Sequence, residues 1–254
     1  MRFDVLGFAG AAPLQGACSS YVVSSKGTTL LLDCGPGTLE RLWQRELLGR
    51  IDAIVLSHMH ADHVLDLVPF SGEVVRRELG GRRIPLHVPA ANGRDVLRRL
   101  DAAFAGESRE QTRFAAAFAV SSYEPADRLR VGDLRVTFAP ADHGAPCCAI
   151  RVADGERSVV YGADGGPSDV VAELAAGTDL LVLEATFADD AAAAAVHGHM
   201  TAGQAGEVAA AARAKRLLLT HLLARTDGAE LTQHAGGAFD GPIDLAHEGW
   251  STEL

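Results

Sequence analysis

The six residues 58 to 63 constrain the possible fold and function of this chain more than any other segment, because four of their side chains are of the types that bind metals. These are His58, His60, Asp62 and His63. The run follows an apolar stretch, Ile51 to Leu56, that predicts a buried strand, and it precedes Val64 to Leu79, which predicts a helix. The first two histidines, two positions apart in extended chain, would point to the same side. The last two side chains would lie in the first turn of the helix, so one loop could serve two adjacent ions.

A lone histidine is more often an ordinary core or surface side chain than a ligand. Four ligand-type residues at this spacing favour a metal site instead. Histidine and aspartate bind Zn²⁺ through nitrogen and oxygen at about 2.0 to 2.2 Å. Zn²⁺ is therefore favoured, but these ligands also suit Mn²⁺ or Fe²⁺. The pattern predicts a divalent metal and leaves its identity open.

The spacing His58-x-His60-x-Asp62-His63 after a strand resembles the signature of the metallo-β-lactamase fold superfamily. The resemblance extends along most of the chain. It implies an α/β fold, the four-layer αββα sandwich, with two sheets back to back and helices on both outer faces. The coarse order of elements fits: strands to about residue 55, helices from 62 to 104, strands from 129 to 163, and then strand, helix and strand.

Other strand ends resemble the family's remaining motifs. In chain order they carry Asp33, His143, Asp164 and His221. Asp33 resembles an aspartate that orients the site without binding metal. Each residue alone could be an ordinary turn or core residue, but a ligand type at every strand end, in the family's order, argues against coincidence.

The resemblance implies a complete set of ligands for two divalent ions. One ion takes His58, His60 and His143, the other takes Asp62, His63 and His221, and Asp164 bridges them. Two ions about 3.5 to 4 Å apart can lower the pKa of a bridging water and stabilise charge on the attacked group. The implied reaction is hydrolysis by a metal-bridging hydroxide. Asp62 is also a candidate base for the proton of that water, and a role as ligand alone is equally compatible.

A second element narrows the choice among hydrolases. His199 precedes an Ala-rich helix predicted to run to about Ala214, with Thr201 as N-cap and Gln204 completing a capping box. The segment resembles the Gly-His-Ser/Leu-Thr-Ala element of the ribonuclease Z-like and cyclic phosphodiesterase-like branch. That resemblance implies that His199 contacts a phosphoryl oxygen or assists the leaving group. The alternative is a surface histidine on a flexible segment, and His197 is interpreted as a bystander.

The short interval between His143 and Asp164, 21 positions, argues for a small substrate. Enzymes that trim the 3′ end of transfer RNA precursors often carry a long RNA-gripping arm there. Here Asp154-Gly155 instead indicates a hairpin between two strands. A small or cyclic phosphodiester is therefore the expected substrate, and a 3′-processing ribonuclease acting on folded RNA is an alternative. A lactone, β-lactam or thioester hydrolase on the same centre, or a non-catalytic metal-binding interaction module, also remains open.

Charge agrees with a small substrate. Lys and Arg number 23 against 33 Asp and Glu, a net charge of −10, whereas a nucleic-acid binder usually shows a basic stripe.

The length and composition predict a single domain. With 48% hydrophobic residues, a chain of 254 residues can bury a substantial core, and one hydrolase domain over 1–254 is expected. Residues 38–48 predict a helix whose apolar stripe is core: Leu39, Leu42, Trp43 and Leu47.

The four cysteines show no metal-binding or disulfide spacing and are interpreted as buried free thiols, which suits a reducing cytoplasm. No apolar run reaches the roughly 18 residues that a membrane helix needs. A cytoplasmic protein without membrane contact is expected, and family precedent makes a homodimer possible.

Overall fold

The computed structural model describes residues 1–76, 82–104, 113–188 and 198–254. Its first sheet has the strand order β14-β1-β2-β3-β4-β5-β6. These strands are β1 (Arg2–Gly7), β2 (Ser20–Ser25), β3 (Thr28–Leu32), β4 (Ala53–Val55), β5 (Ile84–Pro89), β6 (Phe118–Tyr123) and β14 (Ser251–Glu253). Pairing is antiparallel from β14 to β3 and parallel from β3 to β6.

The second sheet has the order β13-β12-β11-β10-β9-β8-β7. Its strands are β7 (Arg128–Val131), β8 (Leu134–Pro140), β9 (Cys148–Ala153), β10 (Ser158–Tyr161), β11 (Leu180–Glu184), β12 (Leu217–Thr220) and β13 (Ile243–Leu245). Strands β7 to β10 pair antiparallel and β10 to β13 pair parallel. The predicted hairpin at Asp154-Gly155 is confirmed as the turn between β9 and β10.

Helices connect the parallel strands. They are α1 (Thr38–Gln44), α2 (Ala61–Val64), α3 (Leu67–Arg76), α4 (Gly93–Phe104), α5 (Arg113–Ala117), α6 (Asp169–Leu174), α7 (Ala202–Ala211) and α8 (Gly228–Gly236). The capping box predicted at the start of α7 is present, since Thr201 Oγ1 accepts from Gln204 N and Gln204 Oε1 accepts from Thr201 N. Among the residues described, no helix is long and apolar enough to cross a membrane.

Strand alternation divides the core into layers. In β3, Leu30 and Leu32 pack between the two sheets with Val136 and Ile150 of the second sheet. Leu31, between them in sequence, points the other way and packs with Phe70 of α3. Period-two alternation of an apolar strand buries both faces in this manner. The predicted αββα sandwich is confirmed.

Three local predictions need correction. Trp43 was expected in the core, but its side chain is 58% exposed, because Leu42 is the one residue of the predicted stripe that the short α1 buries fully. The helix predicted from Val64 to Leu79 is replaced by α2 and α3, whose described residues end at Arg76. The helical stretch predicted from 62 to 104 is interrupted by β5, whose two prolines weaken the strand signal.

The cysteines are buried free thiols, as predicted. Most of the Ala-rich segment 188–196 lies outside the described residues, as does His197.

Candidate metal centre

The predicted ligands meet at one edge of the sandwich, where strands of both sheets end. The loop after β4 carries His58 and His60, and α2 carries the next pair of ligands. The second sheet contributes one residue each after β8, β10 and β12, namely His143, Asp164 and His221. Carboxyl ends of parallel strands meet at the same edge of a sheet, which makes this edge a natural site.

A first cluster forms from the loop histidines and the second sheet. One atom from each of His58, His60, His143 and Asp164 lies within 4.8 Å of the others. His143 Nε2 is 3.0 Å from His60 Nδ1, and His58 Nε2 is 3.7 Å from Asp164 Oδ2. Three imidazoles and one carboxylate are a donor set that suits a divalent transition metal.

A second cluster shares the same aspartate. It comprises Asp62, His63, Asp164 and His221, all buried, with ligand atoms again within 4.8 Å. His221 Nε2 lies 3.2 Å from both Asp62 Oδ2 and Asp164 Oδ2. His63 Nε2 lies 3.3 Å from Asp164 Oδ1. Asp164 belongs to both clusters, as expected of a bridging residue, and its bridging of two ions stays a prediction.

Several polar atoms at the centre have no hydrogen-bond partner among the described residues. They are His58 Nε2, His63 Nε2 and Asp164 Oδ1, all buried. An unsatisfied buried polar atom costs about 1 to 3 kcal/mol. Three such atoms converging on one point fit cations bound between them, and the donor set therefore fits a divalent metal.

The aspartate that follows β3 supports the centre from behind. Asp33 Oδ2 is 2.7 Å from His63 Nδ1 and accepts from Ser57 Oγ at 2.8 Å and from Tyr161 OH at 2.8 Å. Asp33 Oδ1 accepts from the Ser57 backbone amide at 2.7 Å. This contact fixes the imidazole of His63 and leaves its Nε2 directed at the centre. The structure places Asp33 where the orienting aspartate was predicted.

Electrostatics within the clusters favour the charged carboxylates and a neutral His58. Burial opposes the charge of Asp164, but the neighbouring His221 and His63 hold its pKa well below the usual range. Burial and the charge of His63 hold the pKa of His58 well below its ordinary value. Neutral imidazole and ionised carboxylate are the forms that bind metals.

Glu184, at the end of β11, is a site residue that the sequence analysis missed. Its carboxylate lies 3.0 and 3.1 Å from His199 Nδ1 and accepts from the backbone amide of Gly165 at 2.7 Å. Thr186 donates to Glu184 Oε2 and is 2.9 Å from His221 Nδ1. The signal was available, since Glu184 ends the buried apolar strand Leu180–Glu184 as the other site residues end theirs.

His199 stands beside both clusters. Its ring centroid is 5.1 Å from that of His143 and 5.5 Å from that of His221. Burial opposes its charge, but the hydrogen bond and the charge of Glu184 raise its pKa above the ordinary value. Its side chain is 18% exposed, so it borders the mouth of the site. With Nδ1 held by Glu184, Nε2 is available to a substrate.

The first loop of the chain closes the site from the other side. Ala11 N donates to Asp62 Oδ2 at 2.8 Å, and Gln15 Nε2 donates to Leu222 O at 2.7 Å. Gly10 lies so close to His221 that a Cβ there would be 2.7 Å from Nδ1. Leu14 at the loop's tip is 78% exposed.

Fold and site together define a metal-dependent hydrolase. A family model described as "Beta-lactamase superfamily domain" matches residues 28–222, and the chain belongs to this family. It is similar to a probable metallo-hydrolase, YhfI, of Bacillus subtilis, with 30% identity and 100% of both chains covered. The crystal structure of YhfI superposes with a TM-score of 0.86, at 28% identity and covering 100% of this chain and 99% of that one.

Two further similar proteins carry names of enzymes that cleave bonds to phosphorus. Ribonuclease Z of Methanopyrus kandleri is 31% identical, covering 94% of this chain and 92% of the relative. The structure of a diphosphatase of the PhnP family superposes with a TM-score of 0.75, at 22% identity and covering 100% of this chain and 97% of that one. The second likeness concerns the fold alone.

Proposed function

We propose that this protein is a dinuclear metal-dependent phosphodiesterase that acts on a small or cyclic phosphodiester. The observation that carries the proposal is the Glu184–His199 pair, which lies against two ligand clusters joined by Asp164. Relatives named ribonuclease Z support phosphodiester chemistry, because they cover nearly the whole chain.

Seven residues would hold the ions. His58, His60 and His143 would bind one ion, Asp62, His63 and His221 the other, and Asp164 both. We propose Zn²⁺ for both positions, since the set is nitrogen-rich with carboxylates. Two bound ions would supply an activated water and neutralise charge on the phosphoryl oxygens.

His199 is proposed as the group that protonates the departing oxygen. Glu184 holds its Nδ1, which fixes the tautomer and keeps a proton on the imidazole. A general acid of this kind contributes about 10² to 10⁴ in rate. Asp62 already accepts from the Ala11 amide and contacts His221, which favours a role as ligand; its role as base stays a prediction.

The short hairpin between β9 and β10 supports a small substrate over folded RNA, because nothing protrudes there to hold an RNA. Carbonyl chemistry on a lactone, β-lactam or thioester is the second candidate, since the same metal set can polarise a carbonyl. The single domain and the cytoplasmic location stay predictions, and a homodimer stays a possibility from family precedent.

The test is a substrate panel with metal-stripped and Zn²⁺-reloaded protein. We expect metal-dependent turnover of bis(p-nitrophenyl) phosphate and of 2′,3′- or 3′,5′-cyclic nucleotides, and no turnover of nitrocefin or a homoserine lactone. Precursor transfer RNA is the comparison for the ribonuclease alternative. Hydrolysis of the lactone alone would refute the phosphodiesterase assignment.

A further inference from the structure

The second sheet carries a basic pocket on its edge, separate from the metal centre. The cavity measures about 510 Å³. Five arginines line it: Arg128, Arg130, Arg135, Arg151 and Arg157. Glu156 is the one acidic side chain among its lining residues. The chain as a whole has a net charge of −10, so this concentration of positive charge is local.

Strand register forces two of these arginines together. Arg130 of β7 lies directly opposite Arg135 of β8 in the antiparallel pair, and both are exposed. Like charges directly opposite each other destabilise a sheet. Exposed sheet faces ordinarily mix charges of both signs. An anion bound between the two guanidinium groups would offset this repulsion.

Three exposed arginines of the pocket, Arg128, Arg130 and Arg135, have guanidinium N–H groups without an ionic partner among the described residues. Arg130 Nε donates to Gly132 O at 3.0 Å, which holds the side chain across the turn between β7 and β8. Guanidinium groups bind phosphate through two parallel hydrogen bonds, which makes such a cluster suited to phosphate groups.

Two arginines in the inner part of the pocket have partners within the protein. Arg151 is half-buried and donates to Leu174 O at 2.7 Å at the end of α6, and to Ser158 Oγ at 3.0 Å. Arg157 pairs with Asp179 at 3.2 Å. These contacts place both side chains at the floor of the pocket before any ligand binds.

The pocket lies far from the centre along the strands. It includes Ser158, the first residue of β10, whereas Asp164 follows the end of that strand. At about 3.3 Å per residue, the extended stretch from Ser158 to Tyr161 spans about 10 Å, and the turn to Asp164 comes after it. The pocket and the metal centre therefore lie at opposite ends of β10.

We propose that this pocket is a second binding site, for a small molecule that carries two phosphate groups. Its volume lies within the range of about 300 to 1,000 Å³ that is usual for small-molecule sites. The acidic charge of the rest of the chain opposes a long nucleic acid strand, which needs an extended basic path. This inference is independent of the reaction at the metal centre.

The test measures binding of fructose 1,6-bisphosphate to the metal-loaded protein by calorimetry, with fructose as the uncharged comparison. The variant is Arg130→Gln with Arg135→Gln. The matched control is Arg98→Gln with Arg99→Gln, which removes the same charge from a helix where both arginines pair with Asp95. We expect binding at least tenfold weaker in the first double variant and unchanged within twofold in the control.

A second readout separates binding from folding. The bisphosphate should raise the melting temperature of the wild-type protein and not that of the first double variant. Without ligand, this variant should melt no lower than wild type, because repulsion is removed, and phosphodiester turnover should be unchanged. Equal binding by both double variants would overturn the proposal. The proposal would also be overturned if single-stranded RNA bound through Arg130 and Arg135 and the bisphosphate did not bind.

Discussion

At the scale of single residues, the centre depends on which nitrogen of each histidine is already occupied. Hydrogen bonds hold Nδ1 of four imidazoles, those of His58, His63, His143 and His221. The acceptor or donor differs in each case: a serine, an aspartate, a backbone carbonyl and a threonine. The shared result is that Nε2 of each imidazole faces another side chain of the two clusters. Holding Nδ1 in this way is the tautomer control that metal-binding histidines require.

We predict that His199→Ala retains both metals but lowers phosphodiester turnover by about 10² to 10⁴. The reason is that Glu184 holds His199 Nδ1. Glu184, His199 and His221 form a third group of ligand-type side chains, but this group does not include Asp164, which the two proposed ions share. Metal content by elemental analysis and kcat are the two measurements. Loss of one ion would move His199 into the ligand set.

Glu184→Gln should shift the pH profile rather than only reduce the rate. The carboxylate raises the pKa of His199, so removing its charge lowers that pKa. If protonated His199 is the acid, the alkaline limb of kcat against pH moves to lower pH. The measurement is the full pH–rate profile of the zinc-loaded variant. A lower rate with an unmoved limb would mean that Glu184 only positions the ring.

The side chains that form the two clusters were predicted from the sequence more completely than the hydrogen bonds around them. The seven proposed ligands follow strand ends, and backbone geometry makes strand ends converge whatever the details of packing. Glu184 carries the same strand-end signal as the ligands, but its contact with His199, 15 positions later, has no local signal in the sequence. Long-range hydrogen bonds of this kind depend on how two loops pack, which spacing alone does not encode.

At the scale of elements, the turns that follow the strands contain residues with positive φ angles, and these turns position the site residues. Asp33, Ala163 and His221 have φ of 57°, 57° and 54°, in the left-handed region that non-glycine residues seldom adopt. Asp33 and His221 directly follow a buried strand, and Ala163 lies two residues after one. Strain of about 1 to 3 kcal/mol per residue persists only where surrounding contacts fix it, and it clusters at functional sites.

Two glycines of α7 make a matched pair for testing helix packing. A Cβ on Gly206 would lie 2.3 Å from Ala235 O of α8, whereas one on Gly203 would meet nothing nearer than 3.8 Å. Gly206→Ala should therefore force the helices apart and destabilise the fold by about 1 to 3 kcal/mol. Gly203→Ala should be neutral or stabilise by up to about 1 kcal/mol, because alanine favours the helix. Urea unfolding of both variants measures the difference, and equal midpoints would contradict the close contact.

Helices and strands were predicted correctly where the sequence signal was local and strong. The prediction was wrong where the residue composition of a segment argued against the element that forms there. The capping box at Thr201 is a local signal and was correct. The strand β5 was missed because Pro85 and Pro89 argue against a strand, although β4 and β6 pair on both sides of it. Trp43 was assigned to the core from helical spacing, but the stripe of a two-turn helix is too short to decide which flank faces outward.

At the scale of the whole molecule, the centre connects the two sheets. The loop after β4 and helix α2 belong to the first sheet's connections, and His143, Asp164 and His221 come from the second. Tyr161 of the second sheet also donates to Asp33 of the first at 2.8 Å. Binding a metal here would therefore hold together the open edge of the sandwich as well as supply chemistry.

Stripping the metals should lower the stability of the entire chain. Without cations, the buried Asp164 Oδ1 and two imidazole nitrogens lack partners, and ligands that bind only the folded state stabilise it by mass action. At a thousandfold excess over Kd, one ion contributes about 4 kcal/mol, a shift on the order of 10 °C for a chain of this size. Calorimetry of chelated and Zn²⁺-reloaded protein measures this shift, and a single transition is expected for one domain over 1–254.

Asp164→Ala is the companion variant, because it removes the carboxylate common to both clusters. It should bind fewer than two ions per chain by elemental analysis, and Zn²⁺ should raise its melting temperature by less than half of the wild-type shift. Arg98→Gln, on the exposed face of α4, is the control and should respond to Zn²⁺ as the wild type does. Two ions retained in Asp164→Ala, with the full thermal shift, would show that each cluster binds its metal alone and that Asp164 bridges nothing.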